Sequence, residues 1–109
     1  MSAYLQEDVR QICLWVVRGQ QRRCSLPEDQ LSAADLKRKR AVQSAEQTIG
    51  KDIRSPELRQ QLRKGMMLNI TSGRSYPFER LGLDFVSKRD FFRRRDRFLL
   101  EVAKRLELV

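Results

Sequence analysis

The sequence predicts an all-α fold, in which a compact bundle of about five helices forms a single domain over residues 1–109. Along most of the chain, apolar residues recur every three or four positions, the period of a helix with one buried face. Val, Ile and Thr are sparse and rarely alternate with polar residues, so β-strands are poorly supported. Only three Pro and five Gly interrupt the chain, which leaves room for long helices.

The first helix is predicted from Tyr4 to Arg23. Acidic residues near its start and Arg22 and Arg23 near its end suit the helix dipole. We expect Trp15 to lie in the core, with base stacking as the alternative. A loop over residues 24–29 ends the helix. The apolar positions at helical spacing are Leu5, Val9, Ile12, Cys13, Trp15 and Val16.

The second helix is predicted to begin at Ser32, whose hydroxyl can cap the amide of Asp35, and to end around Gly50. Four consecutive basic residues, 37–40, point in all directions around about one helical turn. We therefore expect them to form a solvated surface that covers apolar neighbours, with auxiliary phosphate contact as the alternative. The apolar side consists of Leu36, Val42, Ala45 and Ile49.

The third helix is predicted to begin after Ser55, because Ser-Pro-Glu places a cap, a proline and an acid where a helix start favours them. Leu58, Leu62, Met66 and Ile70 form its apolar stripe. A loop follows over residues 69–74. Residues 1–72 are thus predicted to form a helical scaffold.

A short fourth helix is predicted over residues 77–81, where Pro77 can open it and Gly82 can end it in a left-handed conformation. Ser87 then caps a fifth helix, with an acid at Asp90, that runs to about Leu106. A short helix followed by a longer, basic one is typical of a helix-turn-helix. Residues 76–106 are therefore predicted to form a helix-turn-helix-like unit at the C-terminal end of the bundle.

Composition excludes several classes of function. The chain has no His, so imidazole is removed from acid–base catalysis and from zinc binding. No Gly-rich phosphate loop or nucleophile elbow is present, and Cys13 and Cys24 match no metal-ligand spacing. We expect a protein that is not an enzyme and uses no cofactor or metal. No apolar run predicts a signal peptide or a membrane span, so a cytoplasmic location is expected.

The charge of the chain points to an anionic partner. The formal net charge is +9, and residues 55–109 hold 13 basic and 7 acidic residues, compared with 10 and 7 in residues 1–54. On the last helix the wheel separates an apolar arc from most of the arginines. Arg95 falls inside the apolar arc, where it needs a carboxylate or carbonyl partner or must extend to water.

Double-stranded DNA is the partner that this helix favours. Residues near the start of a recognition helix lie closest to base edges, so Lys88, Arg89 and Arg93 are predicted to read bases. Phosphate contacts are assigned to Arg74, Arg94 and Arg97, and the helix start at Ser87 can bind a phosphate oxygen. The predicted nucleic-acid-binding residues are Arg74, Ser87, Lys88, Arg89, Arg93, Arg94 and Arg97.

The segments over residues 77–81 and 86–99, followed by Leu106, resemble the C-terminal end of small phage regulators of the ArpU and RinA type. The shared pattern is a Ser, a polar or basic pair, an aromatic residue, several Arg or Lys, and then apolar residues. It covers about a third of the chain, and residues 1–54 show no such resemblance. The resemblance implies a helix-turn-helix similar to that of sigma-factor region 4, and a phage or mobile-element transcription regulator.

The sequence is also compatible with two other functions. A protein-interaction module would use the same arginines against an acidic protein surface, with Phe92 and Leu100 as apolar anchors. An RNA-binding protein is less favoured, because Tyr76 is the only obvious residue on which an unpaired base could stack. The scaffold over residues 1–72 also leaves room for a homodimer interface.

Overall fold

The structure of the protein, a computed structural model, describes residues 5–109. All regular secondary structure in this range is helical and no β-strand occurs in it, so the all-α prediction is confirmed. Three short 3₁₀ turns lie at Glu28–Gln30, Gly73–Ser75 and Phe78–Arg80. The α-helices are α1 (Glu7–Arg18), α2 (Gln20–Ser25), α3 (Ala33–Glu46), α4 (Pro56–Ser72) and α5 (Lys88–Arg105).

The first predicted helix is divided in two at Gly19, and its predicted start at Tyr4 lies outside the described residues. A Cβ atom at Gly19 would lie 2.9 Å from Nη2 of Arg23, so the glycine leaves room for that buried guanidinium to fold back over the junction. The helical path then continues to Ser25, where the sequence predicts a loop from residue 24 onward. The glycine at this division thus accommodates the side chain of Arg23.

The predicted caps of three helices are confirmed. Ser32, Ser55 and Ser87 each accept a hydrogen bond from the amide three residues later, at 3.1, 3.3 and 3.0 Å. The end of α3 differs, because the helix stops at Glu46 and tightens into a turn that reaches Gly50, which has φ +74°. The three capped helix starts depend on contacts within four residues, which is why the sequence predicts them well.

The prediction of a short fourth helix over residues 77–81 is wrong. Residues 78–80 form only a 3₁₀ turn, and residues 73–87 contain no α-helix, although Gly82 is left-handed as predicted, with φ +67°. A segment of this length is too short to sustain an α-helix by itself. The segment is held instead by Phe78, whose ring lies 5.3 Å from that of Phe91. Because no α-helix closely precedes α5, the predicted helix-turn-helix unit is not confirmed.

Helix α5 packs against both α1 and α3, while α4 packs on α1 and α2 on α3. Four of the five helices and the segment before α5 therefore share one core. At the end of that segment, buried Leu83 packs against Gly65 of α4, where a Cβ atom would lie only 3.1 Å away. None of the helices within residues 5–109 is long and apolar enough to cross a membrane. Buried residues of α5 are Phe91, Phe98, Leu99, Val102 and Ala103.

Candidate nucleic-acid interface

Three arginines of α5 form a single row on its exposed side. Arg89, Arg93 and Arg97 are four residues apart, so each lies about 6 Å further along the helix axis and about 40° further around it. All three side chains are exposed. Within residues 5–109, none of the three has a carboxylate oxygen within 4.0 Å or a hydrogen-bond partner for its guanidinium. We call these three residues the arginine row.

The carboxylates of α5 do not neutralise the arginine row, because each is paired with a different cation. Asp90 accepts a hydrogen bond from Nε of Arg94 at 2.9 Å. Asp96 lies 3.5 Å from Nη1 of Arg10 on α1, and Glu101 accepts a hydrogen bond from Arg105. Within residues 5–109 the row therefore has no direct ion pair, although the carboxylate of Asp52 interacts electrostatically with Arg97 at longer range.

Arg94 differs from the arginine row because all three nitrogens of its guanidinium donate to carboxylates. Its two terminal nitrogens donate to the two carboxylate oxygens of Asp52 at 2.8 and 2.7 Å, in addition to the bond from Nε to Asp90. The hydrogen bonds from Arg94 hold the pKa of Asp52 at about 2, and Arg97 adds a smaller electrostatic contribution. A phosphate would have to displace Asp52 before it could bind Arg94. The predicted phosphate contact at this residue is thus in competition with an intramolecular one.

The start of α5 carries two further predicted site residues. The hydroxyl of Ser87 is already an acceptor for the amide of Asp90, which is its capping bond. Lys88 donates to Glu79 at 2.7 Å, and this hydrogen bond lowers the pKa of Glu79. Both side chains of that ion pair are more than half exposed, so the pair contributes little to stability and can exchange for another anion.

The opposite flank of α5 is occupied by Arg95. Its Nη1 donates to the side-chain carbonyl of Asn69 at 3.1 Å, and its guanidinium lies 4.9 Å from the ring centre of Phe92. Of the outcomes left open for Arg95, a carbonyl partner is the one found, although its Nε has no hydrogen-bond partner in residues 5–109, and burial lowers the pKa of Arg95. Phe92 and Leu100 are half-buried and pack against the core, so only part of each side chain is open to a partner.

Arg74 is not brought into contact with the arginine row. It is exposed on the 3₁₀ turn after α4. Two residues later, the carbonyl of Tyr76 accepts a hydrogen bond from the side chain of Asn69 at 2.9 Å. Asn69 also holds Arg95, which lies at least about 120° around α5 from the row. This segment is therefore anchored to the flank of α5 that faces away from the row.

The basic run of α3 is largely paired, as a solvated structural surface would be. Arg38 donates to Asp35 at 3.3 Å, and Lys39 and Arg40 lie 3.6 and 3.9 Å from the carboxylate of Glu28. Only Lys37 of the run is exposed without an ion pair in the described part of the chain. The run thus offers far less free charge than its sequence suggests.

Trp15 is the clearest side chain that the sequence placed wrongly. It is 59% exposed, because the buried side of α1 is formed by Cys13, Val16 and Val17, and Trp15 points the other way. The guanidinium of Arg38 covers its ring at 5.5 Å from the centre. The i, i+3, i+4 spacing of those three buried residues was the signal that excludes Trp15 from the core.

The described residues 5–109 contain no group of three or more Cys, Asp or Glu side chains that could hold a metal ion. The candidate site described above is a charged surface, the arginine row of α5. Comparisons of the chain with models of protein families, with curated proteins and with solved structures find no match.

Proposed function

We propose that the protein is a small DNA-binding protein that holds duplex DNA through the arginine row of α5. The observation that carries the proposal is that Arg89, Arg93 and Arg97 have no carboxylate partner within residues 5–109, although nearby arginines of the same helix are paired. Like charges four residues apart on a helix destabilise it by a few tenths of a kcal/mol per pair. A row that is unfavourable for the folded chain is favourable for binding a polyanion.

Phosphate binding accounts for most of the expected affinity. Arg suits this role because its planar guanidinium can donate two parallel hydrogen bonds to one phosphate. Lys88, Arg89 and Arg93, toward the start of α5, are the residues best placed to reach base edges, while Arg97 holds the backbone. The resemblance of the C-terminal third to phage regulators favours a role in phage or mobile-element transcription.

The test is fluorescence anisotropy with labelled random-sequence duplex DNA over a series of salt concentrations. The wild-type protein is compared with the variant Arg89→Ala/Arg93→Ala/Arg97→Ala. The control variant Lys37→Ala/Arg40→Ala/Lys64→Ala also removes three positive charges, but from α3 and α4. Both variants carry a formal net charge of +6, from the +9 of the wild type, so a difference between them reports position rather than total charge.

For the wild type, neutralising three to five phosphates gives a slope of log K against log salt of about −3 to −4.5. The row variant is expected to bind at least about tenfold more weakly with a shallower slope, and the control variant to lose much less. No binding at low salt, or equal losses in the two variants, would refute the proposal. Selective binding of structured RNA or of one acidic protein instead would assign the row to that partner.

A further inference from the structure

Helix α1 presents an exposed face whose chemistry changes along its length. Asp8, Ile12, Trp15 and Arg18 lie at helical spacing on the side opposite the core, and we call these four residues the α1 face. Ile12 is 44% and Trp15 59% exposed, so two large apolar side chains form its centre. Exposed pairs of this kind are typical of protein interfaces, where Trp is among the residues that contribute most to binding.

Trp15 is held in position before any partner binds. Arg38 covers one side of its ring, and Arg38 is itself fixed by the hydrogen bond to Asp35. Because the ring is already oriented, less conformational entropy is lost when its other side is covered. This arrangement makes Trp15 suitable as the anchor of an interface.

The two ends of the α1 face carry opposite charges that are not neutralised within the described chain. Asp8 at one end has no ion pair in residues 5–109, and its carboxylate accepts only the amide of Val9 at 2.9 Å. Arg18 at the other end donates through Nε to the carbonyl of Ile70 at 3.2 Å, and its terminal nitrogens have no partner in that range. The face is acidic at one end and basic at the other, and its apolar centre is flanked by the guanidinium of Arg38 beside Trp15.

We propose that the α1 face binds a second copy of this chain, with the two α1 helices antiparallel about a two-fold axis that passes between Ile12 and Trp15. In this arrangement Trp15 of each copy covers Ile12 of the other. Arg18 of each copy then lies opposite Asp8 of the other, because both are a similar distance along the helix from the axis. Asp8 and Arg18 are about 15 Å apart along α1. Because the two-fold axis relates one ion pair to the other, both pairs form at once.

A second copy fits this face better than a partner of one charge sign. An acidic partner would meet Asp8, and a basic one would meet Arg18, whereas an antiparallel copy matches both ends with the same surface. Such self-complementarity is the property that a two-fold interface requires. One helix face is small beside the roughly 800 Å² per partner of a standard interface, so we expect a reversible dimer.

Sedimentation equilibrium without DNA tests the proposal over protein concentrations from about 1 to 200 µM, the range in which a reversible dimer dissociates. The apparent mass should rise from 12.9 kDa toward about 26 kDa, which is two chains. Trp15 is the only tryptophan, so its emission should shift to shorter wavelength over the same concentrations. Trp15→Ala should weaken the dimer by at least about tenfold.

Charge reversal gives the specific test. Asp8→Arg and Arg18→Glu should each weaken the dimer, since each places like charges opposite one another in both pairs. The double variant Asp8→Arg/Arg18→Glu restores opposite charges and should recover most of the lost affinity. Thermal unfolding of each variant shows whether the fold is kept, because Asp8→Arg also opposes the helix dipole.

A monomer at every concentration would overturn the proposal, as would a dimer that Trp15→Ala leaves unchanged. Failure of the double variant to recover, with its fold intact, would also overturn the antiparallel pairing. Trp15 emission that shifts only when nucleic acid is added would assign the face to that ligand instead. None of these readouts depends on the arginine row, so the two proposals can fail separately.

Discussion

The basic run of α3 and the arginine row of α5 look similar as charge clusters, yet the structure treats them differently. On α3 the cations at 38–40 meet Asp35 or Glu28 within 4.0 Å. On α5 the cations at 89, 93 and 97 meet no carboxylate within that distance in residues 5–109. The α3 charges are paired within their own helix or with the turn that precedes it, whereas the row has no ion pair in the described residues.

The difference follows from spacing. Consecutive cations point around the whole helix, so some of them inevitably face neighbouring elements that can supply acids. Cations four residues apart stay on one side, and on α5 that side is turned away from α1 and α3. The periodicity of a charge cluster is therefore more informative about binding than its density.

The largest effect on stability is expected at Arg23, the buried arginine that pairs with Asp35 of α3. Arg23 is 1% exposed, donates to the carbonyl of Val16 at 2.6 Å and lies 3.5 Å from the carboxylate of Asp35, while burial lowers its pKa. Arg23→Ala should lower the free energy of unfolding by about 2 to 4 kcal/mol, because it leaves a void and removes a buried hydrogen bond. Urea denaturation monitored by circular dichroism measures the change.

Arg40 supplies the matched control for that prediction. It belongs to the same basic surface but is 65% exposed and 3.9 Å from Glu28. Arg40→Ala should change the free energy of unfolding by no more than about 0.5 kcal/mol. Equal effects at the two positions would show that burial of Arg23 does not organise the junction of α1 and α2.

A smaller effect is expected at Asp52, which pairs with Arg94 of α5. Its pKa of about 2 lies below the ordinary value of 3.8. The carboxylate therefore stabilises the fold fully above about pH 4, and this stabilisation is lost as the pH falls toward 2. Asp52→Asn should cost less than about 1 kcal/mol at pH 7, since the group is largely exposed.

Thermal unfolding between about pH 2 and 5 checks this linkage, because Asp52→Asn should flatten the acid side of the stability profile. If the arginine row binds DNA, the same variant should also bind more tightly, since Arg94 is released to join the row. A profile as steep as that of the wild type would mean that Arg94 does not hold Asp52 in solution.

Local signals made the helices predictable, and long-range partners made the site difficult to predict. The caps at Ser32, Ser55 and Ser87 depend on atoms three residues away, so the sequence contains all that is needed. The pairing of Arg94 with Asp52 joins positions 42 residues apart, and no pattern along α5 indicates it. The sequence therefore grouped Arg94 with the row, although their surroundings differ.

The misplaced elements have the same cause. Trp15 is apolar, and hydrophobicity alone assigned it to the core, whereas the direction of its side chain is set by which side of α1 packs on α4 and α5. The predicted helix at 77–81 has good end signals, but contacts of Phe78 and Leu83 with the core hold the segment as turns. Tertiary packing outweighs local propensity in short segments.

The smallest expected effect concerns the stability of the arginine row itself. In Arg89→Ala/Arg93→Ala/Arg97→Ala, repulsion between like charges is removed and Ala favours helix, so the free energy of unfolding should stay within about 0.5 kcal/mol of the wild type or rise slightly. Urea denaturation at low and high salt measures it, and any gain should shrink as salt screens the repulsion. A loss of more than about 1 kcal/mol would indicate that the row makes structural contacts. Unchanged stability beside lost DNA binding would instead separate the two uses of charge, since a cation that the fold does not need is one that a partner can use.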